Sequence, residues 1–410
     1  MGPLEGYRLL DFGTAVAGPQ VGQLLADMGM ETIKIETRTK LDGGRLGRPI
    51  IGDNNAGNVD SKWVDMQPSF HVLNRNKESF TINLKHPRAM DVFARLVKIS
   101  DVVLDNSSPG VMARLGLDQE NLVKIKPDII SISLTGCGES GPMRDTLVYA
   151  PQIIAIGGLE SLLGYHGDKT PINLIPGYGD TNGSIHGAFA ILAALWHRNM
   201  TGEGQHISLA ESYAITSLLG EAIMDYSMNG HIQGLQGNHH PVLCPHGNYP
   251  CNGDDKWVAI AVDTEEEWKK FCTALGTIEL IKDKRFADKK RRMENRDELD
   301  RLIAIETIKY KTYDITDLLQ KVNVAATPVM NCEDQFNDPH FIEKKTYVEM
   351  NHPIVGKEMF YNNPIRLSGM SPSISRNAPS LGQDNNYVLK ELLGYSERET
   401  TELVEHQVIN

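Results

Sequence analysis

Short apolar runs alternate with amphipathic segments along the first third of the chain, and this alternation constrains the fold most. Tyr7–Phe12 and Thr32–Glu36 have the length and apolar content of buried strands, and Pro19–Met28 between them has helical periodicity. Two strands joined by a helix predict a parallel βαβ unit. Asp101–Leu104 and Asp128–Leu134 repeat the strand pattern. The sequence therefore predicts an α/β fold whose mostly parallel sheet is covered on both faces by helices.

Further along the chain the pattern changes. Gly183–His197 and Glu211 to Met228 predict helices, but residues 229–254 carry Gly, His, Pro and Asn with little periodicity and predict a loop or linker. Trp257–Val262 then begins a second α/β region. A chain of 410 residues is expected to form about two or three domains.

Composition excludes several classes of protein. The net charge of −12 argues against general nucleic-acid binding. No stretch approaches the roughly 20 apolar residues of a membrane span. The five cysteines are an odd number in a long chain, which favours a reducing compartment, so we expect a cytoplasmic protein.

Common site motifs are also missing from the sequence. The first predicted βα turn, Gly13 to Gly18, lacks the G-x-G-x-x-G pattern of dinucleotide binding, and no G-x-S-x-G supports a serine hydrolase. Histidines and cysteines crowd residues 239–251, but their spacing matches no common zinc pattern. We therefore predict no metal site.

Asp180 lies where a helix is predicted to begin. Gly177 and Gly179 predict a tight turn of the chain just before this helix, which is expected to begin near Asp180 to Gly183. Aspartate at such a position is most often an N-cap residue. The glycines would equally allow a ligand to come close to the carboxylate. Spacing alone leaves the capping role and a catalytic role open.

Matching motifs in one order along nearly the whole chain identify a family resemblance. The sequence resembles the class III CoA-transferases, a family that includes formyl-CoA transferase and carnitine CoA-transferase. The motifs that carry the resemblance are LDFGTAVAGP (10–19), IKIE (33–36), NRNKESFTINLK (74–85), DVVLDNSSPGVMARLGL (101–117), TGCGESGP (135–142), GDTNGSIH (179–186), TGEGQ (201–205) and PSLGQDNNYVLKELLGY (379–395).

The resemblance implies a reaction for Asp180. The carboxylate would attack an acyl-CoA thioester, and an aspartyl-CoA thioester would then pass CoA to an acceptor acid. General likeness favours succinyl-CoA as donor and a benzylsuccinate-like acid as acceptor. CoA thioesters would be substrates, with no permanently bound cofactor. By the same resemblance, CoA would contact Val16, Ala17, Arg38, Lys85, Asn106, Arg114 and Tyr149.

The sequence departs from parts of the family pattern. Val16 and Leu147 replace a glutamine and a lysine of formyl-CoA transferase, which argues against formyl-CoA/oxalate exchange. The family's racemase branch uses a His–Asp pair, and the matching stretch, residues 144–149, has no histidine. A racemase-like isomerase and a non-catalytic CoA-binding subunit of a heteromer remain the alternatives. By the same resemblance, a loop over His240 to Asn248 would cover the active site and contact the acceptor acid.

The resemblance also implies the domain organisation. We expect a large, open Rossmann-like CoA-binding domain over residues 1–227, a small α/β domain over residues 228–330, and a linker and C-terminal part over residues 331–410 that returns to the large domain. Two subunits would interlock, as a homodimer or as a heteromer with a homologous subunit. We expect no nucleic-acid or membrane partner.

Overall fold

A computed structural model describes residues 2–46, 63–174 and 177–409. The Gly, Asp and Asn content of residues 38–70 predicts a loop, and part of that segment lies outside the described residues. Within the described part, no helix combines the length and apolar character needed to cross a membrane.

A six-stranded parallel sheet forms the centre of the fold. Its strands are β1 (Arg8–Asp11), β2 (Glu31–Glu36), β3 (Lys77–Thr81), β4 (Val102–Asp105), β5 (Ile130–Thr135) and β6 (His206–Ala210). They lie in the order β3-β2-β1-β4-β5-β6, and every neighbouring pair is parallel. This confirms the predicted α/β class. From β1 the chain adds β2 and β3 on one side of the sheet, and then β4, β5 and β6 on the other side. Ligands of such sheets bind between the two strands where the order changes, here β1 and β4, outside the carboxyl ends of the strands.

Helices follow or precede most strands. In chain order the α-helices of the described residues are α1 (Ala17–Asp27), α2 (Pro68–Asn74), α3 (Ala89–Lys98), α4 (Val111–Arg114), α5 (Gln119–Ile125), α6 (Ala150–Ile156), α7 (Tyr178–Thr201), α8 (Glu211–Thr216), α9 (Gly220–Asn229), α10 (Glu265–Leu275), α11 (Ile278–Lys282), α12 (Lys289–Glu294), α13 (Arg296–Thr307), α14 (Thr312–Gln320), α15 (Cys332–Asn337), α16 (Pro339–Glu343) and α17 (Glu397–Glu405). The sequence predicts a closing helix over Asn386 to Leu393, and the structure has a π-helical segment at Tyr387–Leu392.

Apolar side chains cover both faces of the sheet, because successive residues of a strand point to opposite sides. Leu9 of β1 belongs to the core that packs under α1 and α7. Its neighbour Leu10 belongs to the core on the other face, together with Phe93 of α3 and Leu403 of α17. The strands therefore need apolar residues at consecutive positions, which explains the continuous apolar runs in the sequence.

The chain forms two compact units. The first contains Met1–Leu159, Asn173–Met224 and Ile342–Asn410, and the second contains Glu160–Ile172 and Asp225–Phe341. The sequence-based division at residues 228 and 330 did not include the segment Glu160–Ile172 in the small domain, because that short segment carries no periodic pattern.

The second unit has its own sheet and core. Its antiparallel strands are β7 (His246–Pro250), β8 (Trp257–Ala261) and β9 (Ala325–Val329). β7 lies within residues 229–254, which were predicted as a loop. The prediction missed this strand because Gly247, Asn248 and Pro250 are unfavourable in strands. Trp268 and Phe271 of α10 are buried in its core.

The C-terminal part of the first unit adds a hairpin of β10 (Tyr347–His352) and β11 (Gly356–Tyr361). It also bonds to the edge strand β3. A carboxylate oxygen of Asp384 accepts a hydrogen bond from the Ser79 amide at 2.8 Å, and the Asn385 side chain accepts one from the Thr81 amide at 2.9 Å. These bonds satisfy amides that an exposed edge strand would leave unpaired.

Candidate active site

A cavity of about 600 Å³ lies at the carboxyl ends of four strands. Residues 14–17 follow β1, residues 106–109 follow β4, residues 134–137 end β5, and Glu211 follows β6. Residues 144–151, Gly177 and Asp180 complete much of the wall. The cavity thus includes the crevice between β1 and β4 where the order of strands predicts a ligand site, and its volume is typical of small-molecule sites.

Polar side chains fix the turn that follows β1. An Asp11 carboxylate oxygen accepts a hydrogen bond from the Gly13 amide at 2.7 Å, and an Asp42 oxygen accepts one from the Ala15 amide at 2.8 Å. Lys34 donates to the Gly13 carbonyl and forms a buried ion pair of 2.7 Å with Asp42. Ala15 has a φ of 61°, an unfavourable value for a residue with a β-carbon, so the surrounding bonds must hold it there.

Four helices begin at the cavity. α1 starts at Ala17, α6 at Ala150, α7 directly after Gly177 and α8 at Glu211, and all four residues lie on the cavity wall. The free amides of helix N-termini carry partial positive charge. Their partial charge favours an anion in this cavity even though the chain has a net charge of −12.

Asp180 lies in the first turn of α7 and does not cap it. The helix begins at Tyr178, earlier than predicted, and its N-cap is Gly177, whose φ of 64° places it in the left-handed region favoured by glycine. The capping interpretation of Asp180 is therefore wrong. Its half-buried side chain lines the cavity instead.

The carboxyl group of Asp180 forms a hydrogen bond with the carboxyl group of Glu211. Two acids can share such a bond only if one of them holds a proton. Burial raises the pKa of Asp180, and the hydrogen bond opposes part of that rise. Glu211 is only 4% exposed. Burial and the neighbouring Asp180 raise the pKa of Glu211 to about 8. At neutral pH the proton therefore resides on Glu211, and Asp180 is the ionised member.

The structure brings most of the sequence-predicted site residues together. Val16, Ala17, Asn106 and Tyr149 line the same cavity as Asp180. Asn106 also holds the turn after β1, because it bonds both the amide and the carbonyl of Thr14. Whether these residues contact CoA stays a prediction.

The predicted basic residues are placed differently. Arg114 lies near the cavity wall: a β-carbon on Gly110 would be 3.3 Å from Arg114 Nη1 and 3.8 Å from Arg144 Nη2. Arg38 and Lys85 are exposed and are absent from the described lining of the cavity. Arg38 Nη2 instead donates to the Leu381 carbonyl at 3.3 Å.

Sequence reasoning missed two residues of the site. Arg144 lines the cavity, and its guanidinium approaches that of Arg114 around Gly110. Glu211 is the first residue after β6. An acidic residue directly after a predicted strand of a parallel sheet is a signal that could have identified Glu211, since the carboxyl ends of the strands hold the ligand.

The parallel sheet places the paired carboxyl groups of Asp180 and Glu211 on a cavity at the carboxyl ends of its strands, an arrangement typical of α/β enzymes. The sequence matches CoA-transferase family III over residues 4–385. The chain therefore belongs to this family and is a CoA-transferase.

Two relatives named as CoA-transferases and one solved structure match nearly the whole chain. A succinyl-CoA–D-citramalate CoA-transferase of Chloroflexus aurantiacus is 32% identical and covers 99% of this chain and 98% of its own. The beta subunit of a succinyl-CoA–L-malate CoA-transferase from the same organism is 30% identical, with coverage of 99% and 98%. The crystal structure of a CAIB/BAIF family protein from Brucella suis is 30% identical, with a TM-score of 0.85 and coverage of 95% and 99%.

Proposed function

We propose that this enzyme moves CoA from succinyl-CoA to a dicarboxylic acid through an aspartyl-CoA thioester on Asp180. The observation that carries the proposal is the half-buried carboxyl group of Asp180, which lines the cavity at the carboxyl ends of the sheet strands and shares a hydrogen bond with Glu211. The two relatives named above both take succinyl-CoA as donor and a C4 or C5 hydroxydicarboxylic acid as acceptor.

In each step of the reaction, an acyl carbon forms a bond to a new oxygen or sulfur atom and loses its bond to the previous one. An Asp180 oxygen attacks the thioester carbon, and the C–S bond breaks. CoA thiolate is released, and an anhydride between Asp180 and the donor acid remains. The thiolate then attacks the Asp180 acyl carbon, and the donor carboxylate departs. The acceptor carboxylate then attacks the aspartyl-CoA carbonyl carbon and releases CoA thiolate, a step that forms a new anhydride with Asp180. The thiolate attacks the acceptor acyl carbon of this anhydride, and the Asp180 carboxylate is released. No proton is consumed, and each step creates an oxyanion that amides at helix N-termini can stabilise.

The second carboxylate of a dicarboxylic substrate needs a cationic partner. Arg144 is the cationic side chain on the described lining of the cavity, and Arg114 lies close to it. A pair of guanidinium groups also suits the phosphates of CoA. A benzylsuccinate-like acceptor, predicted from the sequence, is itself a dicarboxylic acid and belongs in the same assay.

The paired carboxyl groups argue against the racemase alternative. Inversion at a carbon requires an acid and a base on opposite faces of the substrate. Asp180 and Glu211 are hydrogen-bonded to each other, and no histidine occurs on the described lining of the cavity.

A second chain is part of the proposal. α7 exposes an apolar stripe in which Phe189, Trp196 and Met200 are each 72% exposed. These residues, with Ile185 and Leu192, recur on one face of the helix. Exposed apolar patches of this kind mark interaction surfaces. We infer that a second copy, or a homologous subunit, covers this stripe.

Trapping the intermediate tests the function directly. Purified protein incubated with succinyl-CoA and then hydroxylamine should carry a hydroxamate on the peptide that contains Asp180, detected by mass spectrometry. Asp180→Asn should acquire no adduct and should lose exchange with citramalate, malate and benzylsuccinate. Exchange at the wild-type rate by Asp180→Asn would refute the mechanism, and exchange with no dicarboxylic acid would refute the substrate class.

A further inference from the structure

Glu211 is held against the turn of α7 that carries Asp180. A β-carbon on Gly183 would be 2.8 Å from Glu211 Cγ and 3.3 Å from Glu211 Cδ, so only glycine at that position allows Glu211 to reach its place. Glu211 starts α8, which packs against α6 and α7. Packing on several sides fixes the side chain in one position relative to Asp180.

Although Glu211 is the first residue of α8, burial and the neighbouring carboxylate of Asp180 outweigh the helix N-terminus and favour its neutral form. Within the described residues, its Oε2 atom has no hydrogen-bond donor and the side chain forms no ion pair. α6 carries no ionisable side chain, and α7 presents Asp180 at this point, with His186 further along the helix. The other charged side chains on the described cavity lining are Arg144 and Asp145. A buried carboxyl group without a cation, next to an ionised carboxylate, retains its proton.

We propose that Glu211, as a carboxylic acid, donates a hydrogen bond to the non-attacking oxygen of Asp180 and stabilises the oxyanion that forms there during CoA transfer. The proposal deepens the function proposed above and rests on Asp180 being the nucleophile. In the resting enzyme the bond aligns the carboxylate. When CoA thiolate adds to the acyl carbon of Asp180, the negative charge moves onto the oxygen that accepts this bond.

The proton remains on Glu211 throughout these steps. Addition of thiolate forms the C–S bond, and departure of the donor carboxylate breaks the C–O bond and restores the Asp180 carbonyl. A neutral acid in an apolar position is a suitable donor for this purpose, because it adds no charge to the resting site. The same bond serves the reverse addition of the acceptor carboxylate.

Two substitutions separate this role from a merely structural one. Glu211→Gln keeps an N–H donor but cannot titrate, whereas Glu211→Leu keeps the approximate volume and removes the donor. The matched control is Glu221→Gln, an exposed residue of α9. The measurement is the single-turnover rate of adduct formation on Asp180 with succinyl-CoA from pH 6 to pH 9.5.

The wild-type rate should fall above about pH 8, where Glu211 loses its proton. Glu211→Gln should stay active without that alkaline decline, and Glu211→Leu should be slower by about 100-fold. Glu221→Gln should match the wild type. If Glu211→Leu does not fold, the pH profile of Glu211→Gln decides alone.

The outcomes distinguish this proposal from the function on which it rests. An adduct that forms on Glu211→Leu at the wild-type rate, or an alkaline decline that persists in Glu211→Gln, overturns the role of Glu211 and leaves Asp180 as nucleophile. Absence of any adduct on the wild-type protein overturns both.

Discussion

Asn106 holds the Thr14 peptide from two sides. Its Oδ1 atom accepts a hydrogen bond from the Thr14 amide at 2.8 Å, and its Nδ2 atom donates to the Thr14 carbonyl at 2.9 Å. The two residues follow β1 and β4, the strands between which the order of the sheet reverses. This pair of bonds therefore closes one wall of the cavity at the point where a ligand is expected.

Removing the Asn106 side chain should loosen that wall. Asn106→Ala loses both hydrogen bonds, so we expect the free energy of unfolding to fall by about 1–2 kcal/mol and kcat/KM for succinyl-CoA to fall by about 10-fold. Asn106→Asp keeps the acceptor for the Thr14 amide and should lie between wild type and Asn106→Ala. Thermal melting and steady-state kinetics check both. Unchanged kinetics in Asn106→Ala would show that the turn does not shape the substrate site.

The apolar stripe of α7 predicts an oligomer. Phe189→Asp combined with Trp196→Asp places two charges on the stripe, and we expect light scattering after size-exclusion chromatography to change from a dimer to a monomer. His197→Asp is a matched control, because His197 is exposed but is rotated about 100° away from Trp196 on the same helix. A wild-type protein that is already monomeric would contradict the prediction.

The sheet could be predicted from the sequence because strands buried on both faces leave a continuous apolar signal. β3 was missed as a strand, since Lys77, Glu78 and Ser79 are polar. Lys77 is nonetheless buried, with a 2.7 Å ion pair to Asp11. A buried charge is stable only with its partner, and Asp11 is remote from Lys77 in the sequence. Local patterns cannot show such a pairing.

The candidate site could be predicted from the sequence only in part. The glycines around Asp180 and the motifs after β1 and β4 identified residues that the fold places on one cavity. Lys34 was counted only as part of an apolar strand, and its partner Asp42 lies in a segment predicted as loop. Glu211 comes close to Asp180 only because α8 packs against α7. Tertiary packing supplies both relationships.

The buried acid at position 211 should make stability depend on pH. The pKa of Glu211 is about 8 in the folded protein, above its ordinary value of 4.5, so the folded state binds the proton more tightly than the unfolded state. This contribution to stability is fully present below pH 4.5 and is lost as pH rises through about 8. Glu211→Gln cannot titrate.

We therefore expect the Tm of Glu211→Gln, relative to wild type, to rise between pH 5 and pH 8 and then to level, with a total change on the order of 5 °C. Differential scanning calorimetry at constant ionic strength measures this. Parallel Tm curves for the two proteins across this range would contradict the assignment of the proton to Glu211.

Gly136 sets the position of the cavity wall that carries Val148. A β-carbon on Gly136 would lie 2.0 Å from Val148 Cγ2, so Gly136→Ala must displace that wall or the end of β5. We expect a loss of about 1–3 kcal/mol in the free energy of unfolding and a raised KM for succinyl-CoA. Gly220→Ala is the control, because a β-carbon there meets no described atom within 4 Å. Chemical denaturation and steady-state kinetics test both variants. If Gly136→Ala matched Gly220→Ala in stability and KM, the 144–151 wall would have to be mobile enough to absorb the added methyl group without cost.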